Sequence, residues 1–397
     1  MYLKKQNNPT GRIQIIGKKS FFMTNLKKIF TSSLIICFVT IILLEIISFV
    51  LIVSKFIPER YPSYRFQNIT DHFYEHHKIF GIWHKKNSNY KRDLNTDIIN
   101  SANSYGAADI ERSKKNTSNI ERILVLGDSF VEGKGVKQNL RYTNLLEKET
   151  NKKYLNFGSA GYFGTTQYYL VYKHLAHQFE HDILLIGILP DNDFLDNDIE
   201  YGKKIHANNY RPYYVGTYPN YTLTYYNPNF SFKKFKEKAI IKSVFREFTF
   251  SYTALKYLIR KSIQKIKLNA ITLPSVPIKK LKKQKRTYSG YYDYTQKQFD
   301  LLKYTIEQIH ELANGIPIII VTYPTINDIL AYEKLGPPPL INDLKLICNQ
   351  LEIDYHDSLE YFFTSDKNWG NYYLSGLSGG HWNNYGNQTM ANFLKPI

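Results

Sequence analysis

The chain has 397 residues, of which 43% are hydrophobic and 22% charged, and its formal net charge is +18. This is an ordinary globular composition with enough length for one large domain or two small ones. A basic balance accompanies nucleic-acid binding in many proteins, but the sequence has no zinc-finger spacing and no RNA-binding aromatic signature. We therefore expect no nucleic-acid partner. The two cysteines, Cys37 and Cys348, are not expected to pair, because one lies in an apolar run and the other far downstream.

The first predicted element is a membrane-spanning helix. Residues 29–53 form an apolar run that makes a helix of about 37 Å, enough to cross a bilayer with some tilt. The run is too long for a typical signal peptide, and no small-x-small cleavage site follows it. Glu45 interrupts the run: it could mark a helix–helix contact, or it could be tolerated on so long a span, and we favour the second interpretation.

The basic N-terminus predicts the orientation of this helix. Residues 1–28 carry six lysines and one arginine but no acid, so the positive-inside rule keeps them in the cytoplasm. We predict a cytoplasmic tail at 1–28, a single transmembrane helix at 29–54 and an extracytoplasmic remainder, in the periplasm or at the cell surface.

Residues 55–120 are polar and irregular, which is typical of a stalk or of a loop-rich layer on the next domain. His76, His77 and His84 stand in this region without an acid or a cysteine at ligand spacing. We expect surface histidines rather than a metal site, and nothing in the sequence indicates a cofactor.

From residue 121 onward, short apolar runs alternate with helical patterns. Such alternation predicts an α/β domain at 121–397, with a parallel sheet covered by helices on both faces. The predicted strands are RILVLG (122–127), KYLNFG (153–158), DILLIGIL (182–189), IPIIIVTYP (316–324) and EIDYHDS (352–358). The predicted helices are 139–150, 165–179, 295–313, 340–351 and 385–394.

An insertion at about 200–294 breaks this rhythm. Its Tyr- and Thr-rich stretch at 211–228 suggests a hairpin, residues 235–268 show helical periodicity, and the basic run at 279–286 is typical of a solvated loop. Long insertions are often lids or binding loops, and a decorative excursion beside the core is equally compatible with the pattern.

One predicted strand ends in Gly127-Asp128-Ser129. Alone, this tripeptide is either a helix cap or a nucleophile on a strand–turn–helix junction. The next strands end in a Gly-rich turn and in a loop dense in Asn and Asp, and His381 precedes the last helix. The carboxyl ends of parallel strands share one edge, so a nucleophile, oxyanion donors and a base would meet there.

These four segments resemble the SGNH hydrolases, also called GDSL-type esterases, of the membrane-anchored bacterial type. VLGDSF resembles the first block of that family, NFGSAG the second, PDNDF the third and GGHWNNYG the fifth, while NSYG at 103–106 is similar to the segment before this domain in membrane-anchored members. The resemblance implies a three-layer α/β/α, flavodoxin-like fold. It implies that Ser129 is the nucleophile, that His381 is the base, and that Gly161 (or Gly158) and Asn192 hold the oxyanion with the Ser129 N–H.

The sequence departs from the family at one position. The fifth block usually carries an Asp two or three residues before the His, where this chain has Ser378 and Gly379. Three interpretations remain open: a Ser–His dyad, an acid from elsewhere such as Asp366 or Asp357, or a weakened enzyme.

The resemblance and the expected compartment together imply a serine esterase that acts on an O-acetyl or O-acyl group of an envelope carbohydrate, or on a lipid ester. The expected partners are the ester or glycan substrate and membrane lipid. One alternative is an O-acyltransferase that needs a multi-span membrane partner to deliver the acyl group. Another is a non-catalytic carbohydrate-binding assembly protein.

Overall fold

The structure, a computed structural model, describes residues 18–59, 61–66, 72–91, 98–205, 209–271, 288–376 and 379–397. The basic run at 279–286 and Ser378 lie outside these residues. The chain forms two compact units. The first combines Met1–Ile69 with Lys238–Pro277, and the second combines Thr70–Glu237 with Ile278–Ile397.

The helices and strands of the described residues are numbered here in chain order. The strands are β1 (Tyr74–His77), β2 (Gly81–His84), β3 (Ser88–Lys91), β4 (Ile98–Ala102), β5 (Arg122–Leu126), β6 (Lys153–Asn156), β7 (Ile183–Ile188), β8 (Arg211–Thr217), β9 (Asn220–Tyr226), β10 (Ile318–Thr322) and β11 (Asp354–Asp357). The α-helices are α1 (Lys18–Val53), α2 (Ser129–Glu132), α3 (Tyr142–Glu149), α4 (Thr165–His174), α5 (Pro190–Asp196), α6 (Ile199–Ile205), α7 (Phe232–Phe248), α8 (Phe250–Ile271), α9 (Gln296–Ala313), α10 (Ile326–Leu335), α11 (Pro339–Gln350), α12 (Leu359–Ser365) and α13 (Asn384–Leu394).

In the first unit, helix α1 is long and apolar enough to cross a membrane. Its segment Leu26–Val53 has 28 residues and a mean hydropathy of 3.0. The Glu45 carboxylate accepts hydrogen bonds from the backbone N–H of Phe250, at 2.5 Å, and of Ser251, at 3.0 Å. The favoured interpretation of Glu45 as a tolerated charge is therefore wrong, because this side chain makes the helix–helix contact.

A five-stranded parallel sheet forms the centre of the second unit, in the order β11-β10-β7-β5-β6. Its inner strands are continuous apolar runs because both faces of a parallel sheet are covered by helices. Helix α3 packs with α13, and α4 packs with α9. Helix α3 connects β5 to β6, and α4 connects β6 back across the sheet to β7. Because both crossovers are right-handed and run in opposite directions, the two helix pairs lie on opposite faces. The predicted α/β/α fold is thus confirmed.

Two small antiparallel sheets, β1–β2 and β3–β4, precede β5. They lie in the second unit, and Phe80, Trp83 and Ala107 join its main hydrophobic core. The segment that contains β1 to β4 is therefore a layer packed on the sheet domain. The expectation of a surface histidine is wrong for His84, whose side chain is buried.

The insertion contains the predicted hairpin. Strands β8 and β9 pair antiparallel, and Tyr214 of β8 joins the main core, so the hairpin packs beside the sheet domain. The helical periodicity at 235–268 corresponds to two helices, because α7 ends at Phe248 and α8 begins at Phe250.

Candidate active site

Ser129 begins a one-turn helix directly after strand β5. Asp128 caps this helix, and its Oδ1 accepts the Phe130 N–H at 2.8 Å. At Gly127 a Cβ atom would lie 2.1 Å from a methyl group of Val131, so the turn accepts only glycine there. This junction holds the Ser129 hydroxyl at the carboxyl end of β5, an inner strand of the sheet.

His381 lies beside Ser129. The distance from His381 Nε2 to Ser129 Oγ is 2.8 Å, which is hydrogen-bond distance and fits a base acting on a hydroxyl. His381 lies two residues before the cap of α13, Asn383, whose side chain accepts the N–H groups of Tyr385 and Gly386. The Phe130 ring packs against the imidazole, with 5.4 Å between the ring centroids.

The imidazole of His381 is neutral over most of the pH range. Burial lowers the pKa of His381 to about 4, the nearby Lys134 ammonium lowers it further, and Glu132 opposes the shift. A neutral ring leaves the Nε2 lone pair free to accept the hydroxyl proton.

The stretch expected as an Asn- and Asp-rich loop is helix α5, which has Pro190 at its first position. This helix places Asn192 beside the serine turn, where its Nδ2 donates to Asp128 Oδ2 at 3.1 Å. Burial raises the pKa of Asp128 to about 7, although the bonds from Phe130 N–H and Asn192 oppose that shift. Asp128 therefore connects the side chain of Asn192 to the serine turn.

The Gly-rich turn after β6 places Gly161 in the left-handed region, at a φ of 102°. The N–H of Gly158, the other glycine considered, already donates to Asn156 Oδ1 at 3.0 Å. In the part of the chain that the structure describes, the N–H groups of Gly161 and Ser129 donate to no other protein group. These two amides are therefore available to a ligand.

Glu132, which lies at the end of α2 and is fully buried, was not predicted from the sequence as a site residue. Its carboxylate accepts the Tyr74 hydroxyl at 2.6 Å and the N–H of Ala160, and it lies 3.2 Å from His84 Nε2. Burial would raise the pKa of Glu132, but the bonds from His84, Tyr74 and Ala160 lower it below its ordinary value. The sequence did contain a signal for this buried acid, because Glu132 stands three residues after Ser129 in an otherwise apolar turn.

Ser129, Gly161, Asn192 and His381 follow one another along the chain in the order of the SGNH blocks, and a single parallel sheet with its helices carries all four. The Ser129–His381 hydrogen bond joins the first block to the last. The chain resembles the SGNH hydrolases.

Solved structures similar to this SGNH-like chain include a member of the lipolytic protein G-D-S-L family from Veillonella parvula DSM 2008. It has 12% identity and a TM-score of 0.35, and the match covers 70% of this chain and 97% of that one. Another is LAE5, an alpha/beta hydrolase enzyme from the metagenome of Lake Arreo, Spain, with 11% identity, a TM-score of 0.34 and coverage of 68% and 92%. No family model and no curated protein matches the chain.

The SGNH-like site does not bring either proposed acid to the histidine. Asp357 is half-buried and accepts the hydroxyls of Thr322, at 2.6 Å, and Tyr291, at 2.9 Å. Asp366 is half-buried and accepts an N–H of the Asn371 side-chain amide at 2.9 Å. Within the described residues, no carboxylate forms a hydrogen bond with His381, whose imidazole has Ser129 as its partner.

Proposed function

We propose that this protein is a serine ester hydrolase. The observation that carries the proposal is the 2.8 Å hydrogen bond between His381 Nε2 and Ser129 Oγ at the end of a central strand. His381 takes the hydroxyl proton as Ser129 Oγ attacks the ester carbonyl carbon. The protonated imidazole then gives this proton to the leaving alkoxide, and the acyl group stays on Ser129. Water, activated by the same histidine, releases the acid and restores the serine.

The tetrahedral oxyanion would be held by the N–H groups of Ser129 and Gly161 and by the side-chain amide of Asn192. A side-chain amide has two N–H donors. One donor of Asn192 is used by Asp128 Oδ2, which leaves the other for the oxyanion. Donors fixed before the reaction stabilise the developing charge without reorganising.

We infer that the catalytic unit is a dyad. The imidazolium formed during the reaction has no carboxylate hydrogen-bonded to it among the described residues, and the largest influence on its pKa is burial. A triad acid both orients the ring and stabilises its charge. In this dyad the orientation comes from the Ser129 bond and from packing on Phe130.

The proposed substrate is an O-acetyl or O-acyl ester of an envelope carbohydrate, with a lipid ester as the second choice. The apolar segment Leu26–Val53 supports a membrane anchor, and the basic tail before it supports a cytoplasmic N-terminus. With that orientation the serine lies outside the cytoplasm, near envelope esters.

The test uses the full-length protein in detergent, with p-nitrophenyl acetate as the substrate and a fluorophosphonate probe as the label. The wild-type protein should hydrolyse the ester and be labelled at Ser129, and Ser129→Ala should lose both. Ser159→Ala is the matched control, because Ser159 is also buried in the second unit but bonds to the Ala160 carbonyl oxygen instead of to a histidine. Equal rates for wild type and Ser129→Ala would overturn the proposal.

The same preparation separates hydrolysis from transfer. If acyl-Ser129 forms but is discharged onto a sugar hydroxyl faster than onto water, the protein is an O-acyltransferase, and a multi-span membrane partner would have to supply the acyl donor. Absence of labelling in the folded protein would favour the non-catalytic carbohydrate-binding alternative.

A further inference from the structure

One side of helix α1 becomes covered beyond Glu45. Every residue from Leu26 to Leu44 is exposed, whereas beyond Glu45 the side of Ser48 and Ile52 is buried and the side of Ile46, Ile47, Val50 and Val53 stays exposed. Residues 26–44 make a helix of about 28 Å, and the hydrocarbon core of a bilayer is about 30 Å thick. The part of α1 that is exposed on every side is therefore nearly as long as the hydrocarbon core is thick.

Helix α8 packs on the remaining part of α1. Its first two N–H groups donate to the Glu45 carboxylate, which is the favourable position for an anion at a helix N-terminus. Phe250 and Ala254 form a small apolar cluster with Ile52 and Ile57. Helix α8 thus starts at the level of Glu45 and runs beside the last turns of α1.

Aromatic rings surround this junction. Phe250 contacts Phe49, with 5.1 Å between ring centroids, and Tyr61, with 6.4 Å. Phe248 contacts Tyr64 at 6.0 Å and Phe66 at 4.8 Å. Tyrosine side chains concentrate where the hydrocarbon of a bilayer meets the headgroups, so Tyr61 and Tyr64 of this ring cluster support a boundary near Glu45.

The same junction exposes an apolar surface. Side chains at helical spacing on α7 and α8 stand out of the unit with 39% to 58% of their surface exposed: Ile241, Val244, Phe245, Leu255, Leu258 and Ile259. Exposed lysines such as Lys242, Lys256 and Lys261 are interleaved with them. Apolar stripes flanked by lysines are typical of helices that lie in a membrane interface.

We propose that these six apolar residues form a second membrane contact, seated in the headgroup and acyl-chain boundary of the bilayer that residues 26–44 cross. Glu45 then lies at the interface, bonded to α8, instead of in the hydrocarbon. The occupant of the apolar surface is bilayer lipid, because the bonds to Glu45 tie α8 to the end of the exposed span. The proposal concerns the first unit alone and does not depend on the proposed esterase activity.

The test reads the depth of an environment-sensitive fluorophore in the full-length protein, reconstituted in phosphatidylcholine–phosphatidylglycerol vesicles. Cys37→Ser removes the exposed cysteine of α1, and Cys348 is buried. The dye NBD is then attached to Leu255→Cys. Ile35→Cys, in the middle of the exposed span, is the deep reference. Leu346→Cys, on α11 of the second unit, is the matched control, because Leu346 is 62% exposed and Leu255 is 58% exposed.

Lipids that carry a doxyl quencher at acyl carbon 5 or 12 report the depth. At position 255 we expect at least two-fold stronger quenching by 5-doxyl than by 12-doxyl lipid, the reverse order at position 35, and quenching only by aqueous iodide at position 346. Iodide quenching at 255 equal to that at 346 would overturn the proposal. Protection at 255 from both iodide and doxyl lipid would also overturn it, because protein would then cover the surface.

Discussion

The serine end and the histidine end of the proposed dyad are held in different ways. Ser129 stands in a turn fixed by hydrogen bonds: Asp128 caps its helix and also holds Asn192, and Glu132 at the other end of that helix bonds the neighbouring Gly-rich turn. Within the part of the chain that the structure describes, His381 has one side-chain hydrogen bond, to the serine itself, and otherwise relies on packing against Phe130.

This difference shows that the serine end is fixed before substrate binds, whereas the histidine end is held by fewer contacts. The serine end is built to hold negative charge, since its backbone amides are already placed. The histidine end must accept a proton in a buried environment that disfavours the charged ring. Substitutions at the two ends should therefore have different effects on rate, pH dependence and stability.

The largest expected effect is from His381→Ala. Without a base, the hydroxyl keeps its proton, and we expect kcat for p-nitrophenyl acetate to fall about 10³-fold. His356→Ala is the control, because His356 bonds Asp354 at 2.9 Å and not the serine. A His381→Ala protein that kept more than a tenth of the wild-type rate would show that the serine end works without this base.

Asp128→Asn tests the serine end. Asparagine still caps a helix, but its amide replaces the oxygen that accepts from Asn192 Nδ2. We expect kcat to fall about 10- to 100-fold with little change in KM, because a misplaced oxyanion donor affects the transition state more than binding. Asp191→Asn, on the same helix as Asn192, should leave kcat unchanged. If kcat fell equally in Asp128→Asn and Asp191→Asn, Asp128 would have no specific role in positioning Asn192.

The pH profile tests the histidine end. The pKa of His381 is lowered to about 4, so the base is neutral above that pH and is lost only as the pH falls through it. The acid limb of kcat/KM should lie near pH 4 rather than near the ordinary value of about 6.5. Lys134→Met should move the limb to higher pH, since that ammonium lowers the histidine pKa. A limb near 6.5 that does not respond to this change would mean a solvated histidine.

The smallest expected effects on rate are those of the two remote acids. Neither Asp357→Asn nor Asp366→Asn should change kcat more than about two-fold, since neither carboxylate reaches His381. Asp357→Asn should lower the free energy of unfolding by about 1–3 kcal/mol, because it disturbs buried donors. Chemical denaturation separates the two variants. A 100-fold loss of kcat in either one, with unfolding unchanged, would restore a third catalytic member.

The sheet was predictable from the sequence because strands buried on both faces are continuous apolar runs, as in RILVL and ILLIGI. Helix α5 was missed because its Asp and Asn residues were interpreted as a loop, although Pro190 and the early acids are also signals for a helix start. The strands were predicted correctly and helix α5 was missed because both predictions rested on local sequence patterns.

Contacts between distant residues were not predictable. Tyr74 and Glu132 are separated by 58 residues, and Glu45 and Phe250 by 205 residues. Without knowledge of the fold, nothing in a single sequence joins such pairs, so the buried partners of Glu132 and the α8 contact of Glu45 came only from the structure.

Glu132 also determines how short a folding version of the second unit can be. Its buried carboxylate takes hydrogen bonds from Tyr74 and lies against His84, both of which precede the first strand of the main sheet. A chain shortened to begin at residue 121 would contain all five sheet strands and the proposed dyad, yet it would leave an ion in the interior without these partners. The smallest autonomous domain therefore begins before Tyr74, about fifty residues ahead of the boundary that the alternation of strands and helices marks.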